Sequence, residues 1–552
     1  MILFLISFFL IKLMSKIFDF DKETQIVLNE FLFDLTSTDW KEWLKLSTIE
    51  EYEDYLLENS GFFSFSEILR QKSLDSREFS IDINIFIKNY HFAHMLVFCH
   101  TSGTTDSNIN ALKWFHMSKD TIKRYWAPGM QAIFESSGLS SKSSAVIFVP
   151  SRTSLDGIKK FDGRRYLSLY SSEFSQRTML SIIKPNSYLL QEYKKSKDLD
   201  IISKILSMED ISVISAPAIT ILGWADIGRL ENGLNKSILN FKEKSDENNQ
   251  LINLIRREGI KKAAKLIQGK LSEKLSGATI IFSTSSLSER DWTFIRKFMG
   301  WKREKEKFTN LYVASEVGPI ASSLGQFEVS RTNSMYLFPL TLDILEYKGN
   351  KNLISRTKNK IGKLLVSRFN NEDILTNIDL GDIIKIKVQN GLPQIDGTIL
   401  RARFELKYPI MISDSISLPN QYTIYAGEHF VFDQFEIYNP RYLLNCLNSH
   451  CNYNYDCFLL TKPDSSLFKL ILPKNISSDC VNINDLKRKI SNCSQIESLK
   501  TAINNDQIEI ELINDKPIDF LATRSDILEK VRNGNMPKGI LKKWPLYYVE
   551  SI

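Results

Sequence analysis

The chain is poor in cysteine, and its cysteines stand apart. Cys99, Cys446, Cys451, Cys457, Cys480 and Cys493 are spread over 552 residues, and none belongs to a C-x-x-C pair. So few in so long a chain make no disulfide framework and suit a reducing compartment, here taken as the cytoplasm. Cys446, His450, Cys451 and Cys457 gather loosely, but at spacings unlike those of the common structural zinc sites. His91 and His94 read as packing or surface residues rather than ligands. Net charge is only +6 and is dispersed, which lacks the footprint of a nucleic-acid binder yet permits an anionic ligand. The mixed run Lys302–Lys307 is a solvated helix face.

Long apolar runs are also missing. Met1–Met14, interrupted only by Ser7 and Lys12, is too short to span a bilayer as a helix. It has no basic leader and no small-residue cleavage site, so it makes a poor signal peptide. Residues 1–14 are read as an apolar extension, with Met14-Ser15-Lys16 as a plausible start and a chain beginning at Met14 expected to fold. Weak membrane attachment is the competing reading, and a membrane is not expected as a partner. No internal repeat or low-complexity linker interrupts the chain. Hydrophobic residues at 43% and charged residues at 25% describe a globular protein, and the length calls for a large domain with a smaller one.

What is present is an alternation of apolar runs and helical periodicity. Residues from about 20 to 75 read as helices, with Phe31, Leu32, Leu35, Trp40, Trp43 and Leu44 supplying apolar positions. Met95–Cys99, Ala145–Val149, Ile211–Ser215 and Ala278–Phe282 read as buried strands. Between the last two, Leu251, Leu254, Ile255, Ala263, Leu266, Ile267 and Leu271 recur at helical spacing. Strands alternating with helices predict an α/β fold, with ligands at the carboxyl ends of the strands. From about 340 onward strands dominate, as at Gly362–Ser367. After Gly427 short strands, a helix over Ile483–Ile490 and a last strand at Ile508–Leu512 predict a small α+β unit.

Three motifs carry chemistry. Directly after the first buried strand comes His100-Thr101-Ser102-Gly103-Thr104-Thr105, four hydroxyls around one glycine. Such a loop offers hydroxyl and backbone N–H donors to an anion, although similar clusters also occur as ordinary turns. Leu311–Pro319 places an aromatic, a hydroxyl and a carboxylate ahead of a Gly-Pro break. Asp379–Ile384 sets an acidic turn before a strand-like alternation.

In this order the motifs resemble those of the adenylate-forming superfamily of acyl- and aryl-CoA ligases. Phenylacetate–CoA ligases and the acyl-protein synthetases of bioluminescent bacteria are the members the chain is most similar to, over about residues 90 to 552. The resemblance implies a large multi-layer α/β ATP- and carboxylate-binding domain at 15–396 and a small mobile α+β domain at 397–552, with a hinge near Pro393–Gly397. It implies ATP-dependent activation of a carboxylic acid as an acyl-adenylate, then transfer to a thiol of CoA or an acyl carrier protein. ATP and Mg²⁺ follow as cofactors, with CoA where it is the acceptor. Thr101, Ser102, Thr104 and Thr105 would surround the β- and γ-phosphates, with Gly103 allowing close backbone approach. Tyr312 would lie against adenine, Ser315 would donate to the α-phosphate, Glu316 would hold Mg²⁺ and Asp382 would accept from the ribose hydroxyls. Lys542, in Met536–Lys543, would neutralise charge during adenylation, with Lys538 and Lys543 as other registers. Segments near Ala216–Trp224 and Ser283–Leu287 would line the acid pocket.

Several positions depart from the pattern. Asp106 stands where glycine is usual, and Lys113 is a displaced counterpart of the loop lysine. Val313 replaces a glycine. The arginine expected before Gly381-Asp382 is missing, and Thr398 stands where arginine is usual. Gly427–Glu436 resembles the glycine turn ahead of a helix start. Two alternatives stay open: transfer to an amine or protein thiol, and, supported by Asp106, Val313 and the missing arginine, a degenerate relative that binds nucleotide or a carrier protein without turnover.

Overall fold

The computed structural model describes residues 22–61, 64–75, 78, 80–89, 95–101, 113–150, 152, 155–192, 198–239, 246–282, 289–302, 306–325, 334–347, 349–369, 374–389, 392–397, 399–406, 422–451, 457–462, 467–473, 483–492, 497–513 and 544–551. The 1–14 extension, His91, His94, Ser102–Thr105, Asp106, Ser283–Leu287, Thr398 and Lys538, Lys542 and Lys543 lie outside them. Contacts divide the chain into two compact units: Met1–His100 with Trp114–Leu380 and Lys385–Thr398, and Thr101–Lys113 with Gly381–Ile384 and Ile399–Ile552.

The larger unit is built on a five-stranded parallel sheet in the order Phe308–Thr309, Thr279–Ile281, Ile211–Ser215, Ser144–Val149, Ser187–Glu192. Every residue of Ser144–Val149 is buried, because helices cover both faces and leave no side to solvent. Val146 and Phe148 face one hydrophobic cluster with the helices Asp198–Ser207, Ala218–Ala225 and Ile260–Leu275. Ala145, Ile147 and Val149 face another with Met130, Ile133, Met179 and Leu180, from the helices Ala127–Ser136 and Ser171–Ile183. The period-2 alternation of a strand thus feeds two cores at once. Strand order reverses between Ser144–Val149 and Ile211–Ser215, and in open α/β sheets such switch points are where ligands bind, outside the carboxyl ends of the strands.

A second, four-stranded sheet runs Trp114–His116, Leu96–His100, Arg164–Tyr170, Gly157–Phe161; its central pair is parallel and its outer pairs antiparallel. A third sheet contains Leu311–Ala314, Gly318–Ser322, Met335–Leu337, Leu392–Ile395, Ile374–Gln389, Ile361–Phe369 and Leu342–Tyr347, and is antiparallel apart from the parallel pairing of Leu74–Asp75 with Ile374–Gln389. Here the sequence reading is corrected. Asp379–Ile384 is no turn: it lies inside the 16-residue strand Ile374–Gln389. Gly381 takes φ +73 within it, a conformation that glycine adopts without a Cβ penalty.

The smaller unit has a six-stranded sheet, Phe404–Leu406, Tyr422–Gly427, Leu546–Ser551, Phe458–Lys462, Phe468–Pro473, Ile508–Ile513. Leu460, Leu470, Ile510 and Tyr548 pack with Leu486 and Ile490 of the helix Ile483–Ser491 and with Leu443 and Leu447 of Arg441–Cys451. The segment read as a glycine turn ahead of a helix start is instead a β-hairpin, His429–Val431 with Glu436–Tyr438, and the helix begins only at Arg441. Cys99 and Cys457 are free and buried, whereas Cys446 is disulfide-bonded, which the sparse cysteine pattern does not announce. No helix among the described residues is long and apolar enough to cross a membrane.

Candidate active site

Three of the residues singled out in the sequence share one hairpin. Tyr312 lies in Leu311–Ala314, which pairs antiparallel with Gly318–Ser322, Ala314 opposite Gly318. Ser315, Glu316 and Val317 form the turn, closed by the Val317 N–H donating to the Ala314 carbonyl at 3.3 Å. Gly318 has φ +100, and a Cβ there would approach the Trp126 indole at 3.2 Å. Both conditions call for glycine, which accounts for the break after Val317. Val313 needs no such freedom: it is absent from the positive-φ positions.

Tyr312 and Glu316 are 8% and 7% exposed, so the hairpin holds an aromatic face and a carboxylate at the edge of burial. The Ser315 hydroxyl meets that of Ser171 at 2.6 Å. Ser171 opens the helix Ser171–Ile183, whose N-cap Tyr170 makes no side-chain capping bond. The hydroxyl therefore stands beside N–H groups that no side-chain cap satisfies. Two residues on, the fully buried Glu173 accepts from Arg152 Nη2 and Arg177 Nε, each at 2.9 Å. Two guanidiniums on one carboxylate fix this end of the helix. Glu316 is a hard oxygen donor, and Mg²⁺ commonly takes one or two protein carboxylates with phosphate oxygens supplying the rest. The residue fits that use. Among the described residues no three His, Cys, Asp or Glu side chains are grouped so that they could hold a metal ion.

The region expected to line the acid pocket begins where Ile211–Ser215 ends. Gln176 Nε2 donates to Ser215 Oγ at 3.2 Å, and the Phe148 and Trp224 rings lie 5.8 Å apart.

In the smaller unit Asp382 is 3% exposed. Its Oδ1 lies 3.0 Å from Arg401 Nη1, and the two residues are also direct partners in the antiparallel pairing of Ile374–Gln389 with Leu400–Arg401. The Arg401 N–H donates to Glu428 Oε2 at 3.0 Å, and the Glu428 N–H donates to the Arg401 carbonyl at 2.9 Å. Burial pushes the Glu428 carboxyl up, opposed by Arg441 and Arg401. The sequence pattern places arginine before Gly381 or at position 398; Arg401 stands three residues beyond 398 and contacts Asp382. Of the hydroxyl loop, Thr101 is described. Its N–H donates to the Lys113 carbonyl at 3.1 Å, so the Lys113 backbone helps close the loop's base.

No family model matches the chain, and no curated protein matches it. Solved structures do. One is the AtGH3.15 acyl acid amido synthetase in complex with 2,4-DB, at 13% identity and a TM-score of 0.52, covering 96% of this chain and 95% of that one. Another is 2-hydroxyisobutyryl-CoA ligase in the postadenylation state, at 10% identity and a TM-score of 0.45, covering 88% and 90%. The chain shares the α/β fold of that acyl acid amido synthetase over nearly the whole length of both.

Proposed function

We propose that this protein activates a carboxylic acid with ATP and passes the acyl group to a thiol, that of CoA or of an acyl carrier protein, in the cytoplasm. The carboxylate attacks the α-phosphorus, the bond to the bridging oxygen breaks, and pyrophosphate leaves. The supporting observation is the hairpin that sets Tyr312, Ser315 and Glu316 together beside an uncapped helix start, on a fold matched end to end by an acyl acid amido synthetase.

In this reading residues 15–396 bind ATP and the acid, and residues 397–552 form the smaller part that brings Lys542. Two anionic reactants must meet, so the site has to supply donors, cationic charge and tight positioning. Thr101, Ser102, Thr104 and Thr105 donate to the β- and γ-phosphates, and Gly103 lets the backbone approach. Tyr312 offers adenine a flat apolar face. Ser315 donates to the α-phosphate. Asp382, oriented by Arg401, accepts from the ribose hydroxyls. Glu316 would hold Mg²⁺, whose charge would offset that on the phosphate oxygens. Lys542 neutralises charge as carboxylate and phosphorus approach.

A second reading, transfer to an amine, is favoured by the amido synthetase among the matching structures. The deciding experiment is ATP–pyrophosphate exchange with a panel of carboxylic acids, followed by acceptor tests with CoA, a phosphopantetheinylated carrier protein and amino acids. Acid-dependent exchange supports adenylation, and the acceptor that yields product separates the readings. An absence of ATP binding at millimolar concentration refutes both.

A further inference from the structure

The strand Leu96–His100 ends on a histidine whose side chain is fully buried. Its Nε2 lies 2.9 Å from Oδ1 of Asp156, equally buried and 56 residues away. The imidazole centroid lies 4.7 Å from that of Trp114 and 4.3 Å from that of Tyr170. His100 is the direct register partner of both, Trp114 on one side and Tyr170 on the other. Asp156 stands just before Gly157–Phe161, and its neighbour Leu155 accepts a hydrogen bond from Ser168 on the adjacent strand. One residue from each strand of the four-stranded sheet, or from its immediate entry, therefore meets in a single layer that closes one end of the sheet.

A polar pair is an expensive choice for such a layer. Two apolar side chains would fill the same volume without desolvating an imidazole and a carboxylate. What the hydrogen bond adds is orientation: it fixes the ring and ties together two strands that are not neighbours in the sheet. With no exposed surface, neither side chain can touch a substrate. The chain leaves this layer at two informative places. After His100 comes Thr101, the first residue of the hydroxyl loop. After Tyr170 comes Ser171, whose hydroxyl meets Ser315 at 2.6 Å.

We propose that His100 and Asp156 are a positioning pair for the nucleotide, holding the strand end that leads into Thr101 and, through Tyr170, the helix start that carries Ser171 to Ser315. This rests on the ATP-dependent reading above. The test uses the full chain, with ATP–pyrophosphate exchange and equilibrium ATP titration on His100→Phe, His100→Gln and Asp156→Leu. His100→Phe keeps a flat ring but loses the hydrogen bond. It is expected to raise KM for ATP about 10- to 100-fold while KM for the acid moves less than about threefold. His100→Gln can still donate to Asp156 and should recover most of the loss, which mere filling of space would not achieve. Asp156→Leu fills the carboxylate's volume without accepting and should reproduce the ATP-specific defect; it carries the test where His100→Phe does not fold. Equal rises in both KM values, or a lower melting temperature with unchanged ATP affinity, overturn the inference. Wild-type protein that binds no ATP·Mg²⁺ overturns the proposed function and this inference with it, whereas an unsplit effect in an active enzyme overturns this inference alone.

Discussion

Arg401 and Asp382 are paired twice, through the backbone ladder and through a 3.0 Å contact between guanidinium and carboxylate. Asp382 is nearly buried, and the Arg401 guanidinium helps aim its carboxylate. Arg401→Ala is expected to remove that contact from a nearly buried carboxylate, lowering stability by roughly 1–3 kcal/mol. It should also weaken ATP binding about tenfold if, as proposed, Asp382 accepts from the ribose, because that acceptor loses its orientation. Arg401→Lys restores charge but not the planar fork and should recover only part of the affinity. Calorimetric ATP titration beside thermal melts separates the two effects. A destabilised variant with wild-type ATP affinity contradicts the ribose role of Asp382.

Glu316→Gln removes the proposed metal ligand with almost no change of shape. Binding of ATP in the presence of Mg²⁺ should weaken, and the advantage that Mg²⁺ gives over metal-free ATP should shrink toward none. The hairpin itself should stand, since its closure rests on backbone bonds and on Gly318. Titrations with and without Mg²⁺ read this directly. An unchanged Mg²⁺ advantage would place the metal on other ligands.

Asp343 gives the larger unit a pH dependence of stability. It is buried in the strand Leu342–Tyr347, its Oδ1 accepts from Thr341 at 2.9 Å, and its Oδ2 meets no donor. Burial raises its pKa to about 8. A carboxyl whose folded pKa lies above its unfolded value binds its proton more tightly when folded. Its contribution to stability is therefore full below about pH 4 and lost progressively as pH rises to about 8. Melting temperature should fall over that range from this group. Asp343→Asn keeps an acceptor for Thr341 and cannot ionise, so it should flatten the slope and melt higher than wild type at pH 8. An unaltered slope would show that Asp343 does not titrate with unfolding.

The parts of this molecule legible from sequence are those fixed by local pattern. Ala145–Val149 reads as a buried strand because helices on both faces demand an uninterrupted apolar run. Tyr312–Glu316 is legible because all its members lie within one hairpin. Relations set by pairing are not legible. Asp382 and Arg401 are 19 positions apart and meet only through strand register, and His100 and Asp156 meet across 56. Gly381 and Gly427 both suggested turns. Gly381 instead bends a continuous strand, and Gly427 ends one whose close neighbour is the Arg403 backbone. A glycine reports permissive backbone, not which use the fold makes of it.

Lys542→Ala should slow adenylation while leaving transfer from a supplied acyl-adenylate nearly intact. The lysine's charge matters only while a carboxylate approaches an already anionic phosphorus centre. Losing one positioned charge of this kind costs roughly 10²–10³ in rate, about 3–4 kcal/mol of barrier. Transfer begins from an adenylate whose two negative groups are already joined, so the same charge has less to offset there. Pyrophosphate exchange measures the first step, and product formation from synthetic acyl-adenylate with the acceptor measures the second. A silent Lys542→Ala beside a slow Lys538→Ala or Lys543→Ala shifts the register by a few residues and keeps the mechanism. Three silent variants with intact exchange would mean that the stretch Met536–Lys543 is a solvated basic segment and that the charge is supplied from elsewhere.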